Sequence, residues 1–171
     1  FMKIVSWNMN KRKAGCWEWI FDSVDPDVLM AQEASPLPHG IDASVRSTTK
    51  KTNRSVFYSK QSNHEVVKVE SDHGMGLQVV RHLNIFFINV YANLDFKPVD
   101  PPLLGYISKF VANVRRRHHA RHILIAGDFN MDRRMDENPT GTKFALRDTH
   151  PTNNFFDAIL DMGFYCLLYT S

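Results

Sequence analysis

Cysteine is almost absent from this chain: Cys16 and Cys166, near opposite ends, are the only two in 171 residues. With no Cys-x-x-Cys pair there is no basis for a structural zinc site or a thioredoxin-like motif. So little cysteine suits a reducing compartment, and a single long-range disulfide is the only bridge the sequence allows. Long apolar runs are also missing. None approaches the ~20 residues of a membrane-spanning helix. The opening Phe1-Met-Lys-Ile-Val-Ser-Trp7 is too short an apolar stretch for a signal peptide and enters a strand at once. A cytoplasmic or otherwise intracellular protein with no membrane segment and no obligate protein partner is the expectation. Repeats and low-complexity tracts are lacking as well. Charge is nearly balanced, at net +3 with a pI near 8.9. That permits an anionic partner such as nucleic acid without requiring one.

What the chain does have is apolar material, 43% of its residues, enough for one globular domain spanning 1–171. Short strands are expected at Lys3–Trp7 and Val28–Ala31, and a longer one over Asn84–Tyr91. Val56–Tyr58, His64–Glu70 and Met75–Arg81 read as antiparallel strands, so that 55–91 forms a hairpin-like section. The region from Ala34 to Arg54, rich in Ser, Thr, Pro and Lys, reads as a loop with weak edge structure. Trp17, Ile20, Phe21 and Val24 mark an amphipathic helix that ends at Asp25-Pro26. Leu103, Ile107, Phe110, Val111 and Val114 mark a second, entered through an Asp100 cap and Pro101-Pro102. It exits through Arg115-Arg-Arg-His-His-Ala-Arg-His122. Positive charge there complements the helix dipole, and a phosphate-tracking patch is the sharper alternative. A last short helix holds Phe155, Phe156, Ile159 and Leu160, opened by Asn153 or Asn154 and closed by Gly163. Strands alternating with helices define an α/β protein, and the hairpin section makes the sheets mixed.

The stretch that organises the rest is Ile123-Leu-Ile-Ala-Gly-Asp-Phe-Asn130. Its first four residues read as a strand buried on both faces, and Gly127 lets the backbone turn. Taken by themselves, Asp128 and Asn130 are turn formers. Other strands, however, end in Asn8, Glu33 and Tyr91, and the carboxyl ends of strands are where open α/β sheets bind ligands. A lone carboxylate suits a hard cation that keeps several waters. A second carboxylate can orient or deprotonate an attacking water. A tyrosine and a carboxamide can donate to charge developing on phosphoryl oxygens. Together these residues suffice for metal-assisted hydrolysis of a phosphate ester.

Ile4-Val-Ser-Trp-Asn8, Asp27-Val-Leu-Met-Ala-Gln-Glu33, Phe87-Ile-Asn-Val-Tyr91 and Ile125-Ala-Gly-Asp-Phe-Asn130, in this order and spacing, resemble the endonuclease/exonuclease/phosphatase superfamily with its DNase I-like fold. The resemblance runs from residue 3 to about 165. It implies a four-layer α-β-β-α sandwich and a divalent-metal-dependent phosphoesterase using Mg²⁺, with Mn²⁺ as a substitute. It further implies that Glu33 ligates the metal, with Asn8 beside it, and that Tyr91 contacts the phosphate. Asp128 would orient or activate the water, and Asn130 would hold the phosphate, with Asn93 on the substrate-binding side.

The family completes its site with a later Asp and a Ser-Asp-His motif near the C-terminus, and nothing after Asn130 matches either. Ser71-Asp-His73 stands too early in the chain and reads as a coincidence. The expectation is a C-terminally incomplete domain that lacks its last strands and leaves a sheet edge unpaired. The leading reading is an endonuclease or exonuclease on nucleic acid. A phosphatase or sphingomyelinase-type phospholipase, or a catalytically silent module, are the alternatives.

Overall fold

Alternation of side chains across the eight strands among the described residues decides the architecture. The computed structural model describes residues 1–10, 15–35, 37–41, 46–48, 54–61, 63–70, 76–92, 102–129 and 157–165. One sheet holds β1 (Ile4–Asn8), β2 (Val28–Gln32), β3 (Arg46–Thr48) and β4 (Arg54–Ser59), in the order β1-β2-β4-β3. The other holds β5 (His64–Glu70), β6 (Gly76–His82), β7 (Ile85–Tyr91) and β8 (His122–Asp128), in chain order. Each sheet is antiparallel but for one parallel pair, β1 with β2 and β7 with β8. A parallel pair needs a crossover. The first crossover contains α1 (Gly15–Glu18), which continues as a π-helical stretch over Trp19–Val24; the second contains α2 (Pro102–His118). No helix among the described residues is long and apolar enough to cross a membrane.

Successive strand residues face opposite ways, so each strand feeds two cores. Val28, Met30, Phe57, Val80 and Phe87 meet between the sheets, joined by Ile4, Ile85, Leu124 and Ala126. Leu29, Ala31 and Val56 turn outward onto Trp17 and Ile20 of the first helical segment. Leu77, Val79, Phe86, Ile88 and Val90 turn outward onto Ile107, Phe110, Val111 and Val114 of α2. The result is helix, sheet, sheet, helix: the expected four-layer α/β sandwich. Burying a side chain of this size contributes ~1.5–3 kcal/mol, so four on one stripe account for the docking of α2.

Several elements differ from expectation in informative ways. The first helix keeps its apolar stripe but winds as a π-helix, which ends at Asp25 in a left-handed conformation (φ 46°). Within that wider turn Phe21 stacks on Trp17 and meets Tyr58 edge-on, with ring centroids 5.8 and 4.9 Å apart. The section 55–91 is no single hairpin. β4 leaves it to pair with β2, because a strand buried on both faces needs neighbours on both sides. Residues Ile123 to Ala126 are half-buried rather than buried, since β8 pairs on one side only among the described strands.

The basic exit of α2 lies at the start of β8, where His122 pairs with Ile85. At ~3.3 Å per residue, that is roughly 20 Å from the end of β8. Arg115 is already engaged there. Its guanidinium donates to the carbonyl of Met162 at 2.9 Å and lies 5.4 Å from the centre of the Phe164 ring. It thereby ties down the helical turn at 157–161, which ends at Gly163 (φ 83°). Among the described residues Cys16 is a free thiol. Asp100, Pro101, Asn153, Asn154, Cys166 and the Ser71-Asp-His73 stretch lie outside the described residues.

Gly127 does not turn the chain. It sits inside β8, paired with Val90, at φ 144°, and a Cβ there would stand 1.9 Å from the Val90 carbonyl oxygen. Gly127→Ala is therefore expected to cost more than ~2 kcal/mol, read as a fall in the urea midpoint. A second expectation concerns pH. Lys60 donates to both carboxylate oxygens of Asp25, at 2.8 and 2.7 Å, and holds its pKa below the ordinary value. A lowered folded-state pKa contributes stability above the unfolded value and loses it as pH falls through the folded one. The difference in urea midpoint between the native chain and Asp25→Asn should thus be small but present at neutral pH, vanish in acid, and shrink in 1 M salt, since the pair is exposed.

Candidate active site

The two parallel pairs point their carboxyl ends the same way and deliver four side chains to one rim of the sandwich. In the first sheet Asn8 lies beside Gln32, with Glu33 next; in the second Tyr91 lies beside Asp128. Hydrogen bonds then close the gap between the sheets. Asn8 Nδ2 donates to Asp128 Oδ2 at 2.5 Å, and the Tyr91 hydroxyl donates to Glu33 Oε1 at 3.1 Å. Tyr91 and Asp128 are register neighbours, and the two cross-sheet bonds join them to Glu33 and Asn8. Backbone bonds extend each parallel pair just past its last residue, from Met9 N to Gln32 O and from Ala92 N to Asp128 O, both 2.8 Å.

Asn8, Tyr91 and Asp128 arrive by simple alternation, each two or four residues along from an inner-face side chain such as Ile4, Phe87 or Ala126. Glu33 does not. It follows inward-facing Gln32 and would turn outward, but its backbone is left-handed at φ 46°. A non-glycine residue rarely adopts that region, and neighbours must hold it there. Ala34 is buried against the outer core, and Ser35 Oγ accepts a 2.8 Å bond from the indole N–H of fully buried Trp17. Fixed on both sides, the backbone flips once and Glu33 meets Tyr91. Ser35 and Trp17 carry no sequence signal for this task.

Asn8 shapes a turn as well. Its Oδ1 accepts from the N–H of Asn10 at 2.8 Å, while its amide nitrogen reaches Asp128. One carboxamide thus shapes the turn and joins the site. Asn93 and Asn130, expected on the substrate side, lie outside the described residues.

Tyr91 is buried at 6% exposure, whereas Asn8, Glu33 and Asp128 are half-buried and reach the surface. The donor set suits a hard cation of the Mg²⁺ type. It offers a Glu33 carboxylate, only one of whose oxygens is hydrogen-bonded among the described residues, and the amide oxygen of Asn8. No three His, Cys, Asp or Glu side chains gather among the described residues. A cation here would keep much of its water, as Mg²⁺ does.

Three buried carboxamides beneath the rim were not singled out from the sequence: Gln32, Asn89 and Gln78, at 1%, 0% and 0% exposure. The available signal was a polar amide inside an otherwise apolar strand.

A mixed-sheet sandwich with polar strand ends bridged across the sheets defines an α/β sandwich of DNase I type. The chain belongs to the Endonuclease/Exonuclease/phosphatase family, whose model matches residues 5–166. No curated protein sequence matches it. Among solved structures it is similar to an AP endonuclease from Archaeoglobus fulgidus, at 20% identity over 98% of this chain and 73% of that one, TM-score 0.68. It is also similar to the 3′ phosphatase NExo from Neisseria, solved with a product DNA hairpin: 20% identity, 95% and 71% coverage, TM-score 0.62. A third is the endonuclease domain of TRAS1, a telomere-specific non-LTR retrotransposon, at 16% identity, 97% and 74% coverage and TM-score 0.60. At these identities the likeness is one of fold.

The Asn8–Asp128 bond has a testable consequence. Asn8→Asp sets a second carboxylate within bonding distance of Asp128, so the pair retains a proton and one folded-state pKa rises. A raised carboxylate pKa contributes stability at low pH that is lost as pH rises. Relative to the native chain, the variant should therefore have a higher urea midpoint at pH 5 than at pH 8. A pH-independent difference from the native chain would contradict the contact.

Proposed function

We propose that the chain is a divalent-metal-dependent phosphodiesterase acting on nucleic acid, as an endonuclease or exonuclease. The observation that carries this reading is the cross-sheet pairing of Asn8 with Asp128 and of Tyr91 with Glu33 at one solvent-facing rim. Glu33 and the amide oxygen of Asn8 would hold the cation, which when bound supplies positive charge beside the phosphate. Asp128, oriented by Asn8, takes the proton of an attacking water as its oxygen bonds to phosphorus and the opposite P–O ester bond breaks. The Tyr91 hydroxyl, now donating to Glu33, is placed to donate to a phosphoryl oxygen instead. Asn93 and Asn130 serve the substrate.

DNA as substrate is favoured by the similar structures, an AP endonuclease and a 3′ phosphatase with a DNA hairpin, rather than by the basic end of α2. That end is at the far side of the sheet from the rim.

The test is nicking of a supercoiled plasmid, together with cleavage of duplexes carrying an abasic site or a 3′ phosphate, in Mg²⁺. Glu33→Ala and Asp128→Asn should each lower the rate by ~10²–10⁴-fold while circular dichroism stays native. Mn²⁺ binding measured by calorimetry should disappear in Glu33→Ala. Retained activity and retained Mn²⁺ binding in that variant would refute the assignment.

A further inference from the structure

On the inner face of β7 the side chain one step below Tyr91 is not apolar. It is Asn89, fully buried. Opposite it, on β2, is Gln32, one residue before Glu33. Gln32 Nε2 donates to Asn89 Oδ1 at 2.7 Å, and Asn89 Nδ2 donates to Gln78 Oε1 at 2.8 Å. Gln78 Nε2 in turn donates to the Ser55 carbonyl on β4 at 2.9 Å. The row crosses from one sheet to the other twice, since β2 and β4 belong to the first and β6 and β7 to the second.

Each amide in the row donates in the same sense, and the backbone carbonyl at its end determines that sense. Reversing any one of the three would set donor against donor or acceptor against acceptor. The apolar residues between the sheets attract without direction, so they hold the sheets together without specifying their offset. A buried and satisfied row of amides is directional and costly to misalign.

We propose that Gln32 and Asn89, backed by Gln78, are positioning residues. They set the offset of the two sheets so that Glu33, next after Gln32, meets Tyr91, two residues after Asn89. This rests on the reading that Glu33 and Tyr91 belong to the reacting site, but the first test does not use activity.

With 3-fluorotyrosine incorporated, the ¹⁹F resonance of Tyr91 is identified by its loss in Tyr91→Phe. In the otherwise native chain Glu33→Gln should move that resonance. In Asn89→Leu, or in the volume-conserving Gln32→Met should the first fail to fold, the resonance should be displaced and no longer respond to Glu33→Gln. The exchanged pair Gln32→Asn with Asn89→Gln should restore the response. A resonance still sensitive to Glu33→Gln in Gln32→Met overturns the proposal.

In turnover, Gln32→Met should lower kcat by ~10–100-fold with KM within about threefold. Val111→Ala, in the outer core under α2, should leave kcat unchanged. An equal loss of kcat in Val111→Ala would assign the effect to general stability and overturn the proposal. A native chain with no phosphodiesterase activity would refute the functional reading and leave the resonance experiment to decide the positioning role.

Discussion

Face-to-face packing of the two sheets is the constraint on which the rest depends. Neither sheet holds the rim cluster by itself: Asn8 and Glu33 belong to the first, and Tyr91 and Asp128 to the second. They become neighbours because Val28, Met30 and Phe57 of one inner face close against Val80 and Phe87 of the other. The helices contribute indirectly. By covering Leu29, Ala31 and Val56 on one side and Ile88 and Val90 on the other, they let both central strands be buried on both faces. At the carboxyl ends of their parallel partners β1 and β8, Asn8 and Asp128 are half-buried and reach the surface.

Within that frame the rim is made by two departures from regular strand geometry. Gly127 occupies a backbone conformation that brings β8 against Val90 more closely than a Cβ would allow. Glu33 takes a left-handed backbone that breaks the inward–outward alternation and turns a carboxylate toward Tyr91. Strain of this kind persists only where the surroundings over-determine it. The buried Ala34 and the Trp17–Ser35 bond on one side, and the buried Gln32 on the other, supply that determination.

Legibility in the sequence was uneven, for physical reasons. Elements with a clean apolar period were readable: β2, β7 and the Ile107, Phe110, Val111, Val114 stripe of α2 lie where the pattern put them. Pairing was less readable, because strand patterns carry no label for their partner. β4 looks like the first arm of a hairpin and instead sits beside β2. The α2 basic exit reads first as a dipole complement, with a phosphate patch as the sharper alternative. Only its place at the start of β8 separates it from the rim.

The sequence by itself determined the strand ends and their chemistry: Asn8, Glu33, Tyr91 and Asp128 each follow an apolar run, in an order that resembles one family. It determined this because alternation and side-chain chemistry are local properties. Tertiary structure decided which ends touch. That Asn8 reaches Asp128 and that Glu33 meets Tyr91 are consequences of two sheets meeting at one offset. Distances between residues far apart in the chain exist only once the sheets have packed.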